Sequence, residues 1–300
     1  MEPEQIAEGL GWPEGPTVLD DGRVVFVESY RSQLTVWSPD GGTSRYAYTA
    51  GAPNSSTLGA DGAIYVCQNG GTVGPWRAEE MTQASIQRVD REGGPAEIIV
   101  TEIEGIRLNG PNDLVFGGDG RLYFTDPGTY RPDDPEPSYI FALDPDGTGH
   151  VVIAFPEPVF PNGIAVEDDG SVVWDESYTG RVRRRRPDGT IEDLGKMPSA
   201  DPILDGMKIG SDGTLYVSDI TGKGIHVLDP DGTVRDFIAV GNATTNLAFD
   251  GETLYVTDAG VTADSSDASY GGALYRIALG KTGQQLTRGR IAAAAGAPAS

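Results

Sequence analysis

Five Asp-Gly pairs, at Asp21, Asp61, Asp119, Asp169 and Asp212, each have a side-chain oxygen donor seven residues upstream: Glu14, Asn54, Asn112, Asn162 and Asp205. A sixth pair, Asp250-Gly251, places Thr245 or Asn246 there once a single gap is allowed. Two carboxylates and three amide oxygens are the donor set of a hard cation; calcium takes about six to eight such oxygens. With no histidine or cysteine in the set, zinc is disfavoured on ligand softness. Asn and Asp also cap loops by side-chain hydrogen bonding. Burying two carboxylates at one point without a cation, however, is costly. Counting seven residues forward gives a second set, Glu28, Gln68, Asp126, Glu176 and Asp219, with Asp258 following after one insertion. Loop capping and solvation are the expected role of this second set, and orientation of ligands or a second cation is the alternative.

The elements that must position these residues repeat. Each Asp-Gly pair stands before an apolar or aromatic stretch such as Ile64-Tyr65-Val66, Leu122-Tyr123-Phe124 or Leu215-Tyr216-Val217, and the six copies lie 38 to 58 residues apart. Asp-Gly between apolar runs favours a tight hairpin because glycine tolerates positive φ. A second turn follows five of the first ones, at Asp40-Gly41, Gly93-Gly94, Asp146-Gly147, Asp188-Gly189 and Asp231-Gly232, with a weaker sixth at Gly280–Gly283. Two hairpins make a four-stranded antiparallel sheet, and repeats of ~40–50 residues built this way predict an all-β, six-bladed β-propeller. Its innermost strands line a central channel, so the first oxygen set converges on the axis only if the ring closes.

The Asp-Gly turns all fall at one end, so the connections after the second strands open at the other, with the oxygens. Three of these are long, Asn69 to Ala84, Pro127 to Ser138 and Ala259 to Gly272, and they carry Trp76, Arg77, Tyr130, Arg131 and Tyr270 as candidates to cover a pocket. Residues 1–283 read as one domain and 284–300 as a frayed tail. With 22 basic against 45 acidic residues the chain carries a net charge of −23, which argues against nucleic acid and acidic membrane surfaces as partners. Arg183–Arg186 falls on the third strand of blade four and offsets that acidity rather than marking a nucleic-acid patch. A lone Cys67 excludes an intramolecular disulfide, and His150 and His226 fit no zinc-hydrolase motif. The acidic amino terminus and the lack of a long apolar run give the expectation of a cytoplasmic protein.

The ring residues sit in motifs that resemble the senescence-marker-protein, gluconolactonase and luciferin-regenerating-enzyme family, which includes regucalcin. Glu14-Gly15-Pro16 resembles its first-blade metal motif, and Arg107-Leu108-Asn109-Gly110-Pro111-Asn112-Asp113 with Tyr123–Pro127 its third-blade motif. Pro161-Asn162-Gly163 resembles the metal asparagine motif, and Leu204-Asp205-Gly206-Met207 the segment of the metal-bound catalytic aspartate. The likeness spans about residues 8 to 278. Gly110 stands where the regucalcin branch has arginine, and Gln68-Asn69 where many gluconolactonases have histidine.

The resemblance implies one divalent cation held by Glu14, Asn162 and Asp205, calcium first, with zinc, manganese or magnesium as alternatives. It implies hydrolysis of a sugar or related small lactone, with the cation activating water or the carbonyl and Asp205 as general base. Asn112, Arg107, Asn109, Asn54 and Tyr130 are the candidates for substrate contact. Two other readings stay open: a calcium-dependent phosphotriesterase like the propeller fluorophosphatases, and a non-enzymatic metal-binding or interaction propeller. The expected partner is a small lactone, with the protein a monomer or small homo-oligomer.

Overall fold

The structure is a computed structural model that describes residues 2–292. The alternating apolar runs pair into six four-stranded antiparallel sheets arranged around an axis, the propeller expected from sequence. From the axis outward, blade one is Pro13–Val18, Val24–Glu28, Gln33–Ser38 and Gly42–Tyr48. Blade two is Pro53–Leu58, Ile64–Gln68, Ser85–Val89 and Glu97–Val100; blade three is Leu114–Phe116, Leu122–Asp126, Tyr139–Leu143 and Gly149–Ala154. Blade four is Pro161–Val166, Val172–Glu176, Arg181–Arg185 and Ile191–Lys196; blade five is Leu204–Ile209, Leu215–Asp219, Gly224–Leu228 and Val234–Ala239.

Blade six corrects the expectation of a hairpin at Gly280–Gly283. Its inner strands are Thr244–Asp250, Thr253–Asp258 and Gly272–Ala278, but its outer strand is Glu4–Leu10, from the other end of the chain. Leu10 pairs with Gly272 and Glu4 with Arg276, whose guanidinium also meets the Glu4 carboxylate at 2.7 Å. This pairing satisfies the outer edge of the last blade and locks the ring shut.

Each first turn has its glycine at positive φ, from +55° at Gly251 to +83° at Gly120 and Gly170. In five of them the aspartate Oδ1 accepts the N–H two residues on, as Asp169 does from Ser171 at 2.8 Å. Between blades the sheets pack face to face through apolar side chains. Val173, Val182 and Leu194 of blade four meet Met207, Leu215 and Val217 of blade five, and Trp174 is fully buried between blades three and four. Each such side chain contributes about 1.5–3 kcal/mol on burial.

The expected frayed tail is corrected for residues 284–292. Gln284 donates to the Val166 carbonyl at 3.1 Å, Gly289 accepts from Ala60 at 2.7 Å, and buried Ile291 donates to the Tyr65 hydroxyl at 3.0 Å. The segment straps the Asp-Gly end of the propeller; residues 293–300 lie outside the described residues. In the arginine run, Arg184 is buried against Glu167 at 2.7 Å, and Arg183 and Arg186 pair with Glu176 and Glu192. These ion pairs match the balancing role expected for it. Among the described residues no helix is long and apolar enough to cross a membrane.

Candidate active site and cation centre

Where the innermost strands begin, the ladder slips. Glu14 sits opposite Val27, yet the next pair is Thr17 with Val25, and the same break falls between Pro161 and Ile164 and between Leu204 and Met207. Such bulges turn a side chain out of the sheet face, and here they aim Glu14, Asn162 and Asp205 at the axis. The glycines that follow let neighbouring blades touch. A Cβ on Gly163 would lie 2.3 Å from the Asp205 carbonyl oxygen, and one on Gly206 2.1 Å from the Asn246 side chain.

The three side chains are buried: Glu14 is 2% exposed, Asn162 5% and Asp205 4%. Glu14 Oε2 accepts the Gly15 N–H at 2.8 Å. Asn162 Nδ2 donates to Ser177 Oγ at 3.2 Å and to the Leu204 carbonyl at 3.4 Å, which leaves Oδ1 buried with no partner. Burial, then the charge of Asp113, pushes the Glu14 carboxyl up to about 8. Burial, then neighbouring Glu14, pushes Asp205 well above the usual carboxylate range. Two adjacent buried carboxylates cannot both be charged without a counter-charge. An orphaned amide oxygen beside them completes a donor set that a divalent cation fits. Among the described residues no three His, Cys, Asp or Glu side chains form a metal cage, so here an amide stands where a third acid would.

These residues floor a cavity of about 320 Å³ that Asn54, Asn112 and Tyr130 also line, so six of the eight expected site residues come together. The sixth ring position resolves to Thr245: Thr244 faces Asp258 as Pro13 faces Glu28, and the Thr245 hydroxyl donates to the Pro13 carbonyl at 2.8 Å. Arg107 and Asn109 are corrected. Arg107 pairs with Glu102 in a two-residue ribbon, Glu102–Ile103 with Ile106–Arg107, and points to solvent outside the cavity. Asn109 is exposed and contributes its backbone N–H to Asp126 at 3.0 Å. Of the other loop candidates, Trp76 packs on Tyr30 with ring centroids 4.9 Å apart, Arg131 pairs with Glu136, and Arg31 covers the Tyr270 ring. Neither these nor exposed Arg77 lines the cavity.

The second set does cap loops, but from inside the protein: Glu28, Gln68, Asp126, Glu176, Asp219 and Asp258 are all at most 1% exposed. Four of them grip the segment entering their own blade's inner strand. Gly11 N–H donates to Glu28 at 2.7 Å, Ala52 to Gln68 at 2.8 Å, Gly110 to Asp126 at 2.6 Å and Ala243 to Asp258 at 2.5 Å. Glu176 and Asp219 hold the following turn instead, through Thr179 at 2.6 Å and the Gly222 N–H at 2.8 Å. Burial pushes Asp126 up to about 6 despite the backbone donors that oppose it.

Two groups of residues were not anticipated from sequence. Below the ring lie Asp113 and Asp175, each with a buried Oδ2 lacking a hydrogen bond, and Lys208, whose Nζ stands 3.9 Å from Asp113 and 3.2 Å from Asn246 Oδ1. Above the ring, two residues before each of its positions, stand Trp12, Ala52, Gly110, Phe160, Ile203 and Ala243. Counting nine back from the first five Asp-Gly aspartates, rather than seven, finds this outer ring down to Ile203. A larger cavity of about 860 Å³ opens at the strapped end and is lined by none of the ring oxygens.

Fold and site together define a six-bladed propeller with an axial oxygen cradle under a small roofed cavity. The chain belongs to the SMP-30/gluconolactonase/LRE-like family, whose model matches residues 12–260. It is 28% identical to a gluconolactonase of Zymomonas mobilis over 288 residues, covering 85% of this chain and 78% of that protein. It is also 28% identical to the lactonohydrolase oryH of Aspergillus oryzae, covering 85% of this chain and 44% of that longer protein. The solved gluconolactonase XC5397 of Xanthomonas campestris shares the fold, with a TM-score of 0.73 at 22% identity over 94% of this chain and 89% of that one.

Proposed function

We propose that the protein is a lactonase that opens a small cyclic ester over Glu14, Asn162 and Asp205. The observation that carries this is the pair of buried carboxylates beside an orphaned Asn162 Oδ1 at the floor of a cavity of about 320 Å³. Membership of the family and likeness to the Zymomonas gluconolactonase support the same reaction.

Glu14, Asn162 and Asp205 would hold the cation, with calcium favoured by an all-oxygen donor set. Bound there, it supplies a Lewis acid for the ester carbonyl. Asp205 takes the proton of the attacking water on a carboxylate oxygen and returns it to the ring oxygen as the acyl bond breaks. Asn112, whose side chain has no hydrogen-bond partner among the described residues, orients the ester from blade three, beside Asn162 on blade four. The roof loops limit access of bulk water to the reacting ester.

A pH-stat assay on a lactone panel, with and without chelator, tests the proposal. Turnover that chelator abolishes and added calcium restores is the expected result. Cation binding without turnover of any lactone would leave an interaction propeller instead.

A further inference from the structure

The cavity above the cation cradle has walls as definite as its floor. We propose that the preferred substrate is a lactone bearing an apolar alkyl or aryl substituent, rather than a polyhydroxylated sugar lactone, and that Trp12, Val73, Phe160, Ile203 and Ile220 select it. This rests on the lactonase reading and specifies its substrate class.

The outer ring carries no side-chain hydrogen-bonding group except the indole N–H of Trp12: its other members are Ala52, Gly110, Phe160, Ile203 and Ala243. Trp12, Phe160 and Ile203 line the cavity directly, joined by Ile220 from a short turn and Val73 from a long loop. Trp12 and Phe160 hold left-handed backbone, φ +55° and +53°, each just before a proline. Bulky residues seldom adopt that conformation, and it persists where surrounding structure enforces it. Here Phe160 is wedged between Tyr130 and Tyr178, ring centroids 5.1 and 5.2 Å away, while Trp12 lies 5.7 Å from Tyr30.

Several polar side chains on the same walls are committed to the protein. Asn69 Oδ1 accepts from Gly71 and Thr72 at 3.0 and 3.1 Å, and its Nδ2 donates to the Thr72 carbonyl at 2.8 Å. Ser177 donates to the Leu204 carbonyl at 2.6 Å. Thr221 donates to the Asp201 carbonyl at 2.9 Å and accepts from Ile203 at 3.1 Å. Among the described residues the Asn112 side chain, Asn54 Nδ2 and the Tyr130 hydroxyl have no hydrogen bond and are left to meet the ester. A ligand with one polar head and an apolar remainder matches this distribution. The hydroxyls of a sugar lactone would lose water against walls with few free partners, and unpaired polar groups of that kind discriminate strongly between ligands.

The test uses two δ-lactones of nearly equal size, δ-nonalactone and glucono-1,5-lactone, with the calcium-loaded full chain. A kcat/KM at least tenfold higher for nonalactone is expected. Phe160→Ala and Val73→Asn should each lower the nonalactone-to-gluconolactone ratio at least fivefold, chiefly through nonalactone KM. Val73 sits on a roof loop outside the six sheets, so its variant serves if Phe160→Ala does not fold. Equal or preferred turnover of gluconolactone, or a ratio that both folded variants leave unchanged, overturns the substrate class while the lactonase reading stands. No turnover of either lactone by the loaded enzyme overturns both.

Discussion

The six blades divide into two sets of three. Blades one, four and five supply the proposed ligands Glu14, Asn162 and Asp205, and their outer-ring residues are the bulky Trp12, Phe160 and Ile203. In each, the turn after the second strand is four residues, Ser29–Ser32, Ser177–Gly180 and Ile220–Lys223. Blades two, three and six supply Asn54, Asn112 and Thr245, with the small Ala52, Gly110 and Ala243 above them, and carry all three long loops. A large wall residue and a long loop compete for the same space beside the axis, so each blade has one or the other. The loops fill the vacancy and meet as a roof. A Cβ on Gly110 would come within 2.6 Å of the Gly128 carbonyl, one on Gly74 within 2.2 Å of Ala263, and Thr72 and Thr129 hydroxyls lie 3.4 Å apart. Gly110 is thus where loop 127–138 enters, and an arginine in its place would collide with that loop.

The sharpest challenge to this division of labour is removal of an acid from the first set. Asp205→Asn should reduce lactone kcat by ~10²–10⁴-fold, the range of general-base catalysis, with the circular dichroism of a folded propeller retained. Asn54→Asp, in the second set, should not rescue it, because position in the ring decides the role. Rescue in the double variant would erase the distinction between the sets.

Next in size is a pH effect confined to the first set. With Glu14 raised to about 8 in the cation-free chain, a cation must displace its proton at neutral pH. Calcium affinity by calorimetry should rise with pH through neutrality to at least pH 8, by ~10-fold per pH unit for each carboxyl proton displaced from Glu14 and Asp205. The native cation-free chain binds this proton more tightly than the unfolded chain. Its stability should therefore fall as pH rises from the ordinary glutamate value toward 8, and calcium should remove that fall. A pH-independent affinity would show that Glu14 and Asp205 are both already charged.

Two smaller effects probe the second set. Gly110→Ala should lower stability by about 1–3 kcal/mol in denaturant titration, the usual scale of overpacking, whereas Gly22→Ala, with nothing near its Cβ, should show only the backbone strain of its φ of +80°. Replacing loop 259–271 by a four-residue turn like Ser177–Gly180 should leave the fold intact and raise KM severalfold, with kcat changed less. A larger loss from the loop exchange than from Asp205→Asn would move the chemistry into the roof.

Much of this is legible in the amino-acid sequence alone. The Asp-Gly turns mark strand ends whatever the rest of the chain does, so six copies gave six blades, and a fixed offset of seven gave the ring from Glu14 to Asp205. Local hydrogen bonds and two-residue alternation carry that information. The closing strand Glu4–Leu10 was hidden because its partner, Gly272–Ala278, lies at the far end of the sequence and no turn joins them. Arg107 was misplaced for a related reason: a two-residue ribbon turned it outward, and its distance along the chain from Asn112 did not report that.

The amino-acid sequence by itself determined the blade count, the turn end of the ring and the oxygen donors that face the axis, because each follows from short-range backbone rules repeated six times. Only the tertiary structure decided which wall residues and loops share a blade, that Asn162 Oδ1 is left without a partner, and that residues 284–292 strap the opposite end. These depend on what lies across the channel, and contacts between blades are set by ring closure and loop path, which no local pattern encodes.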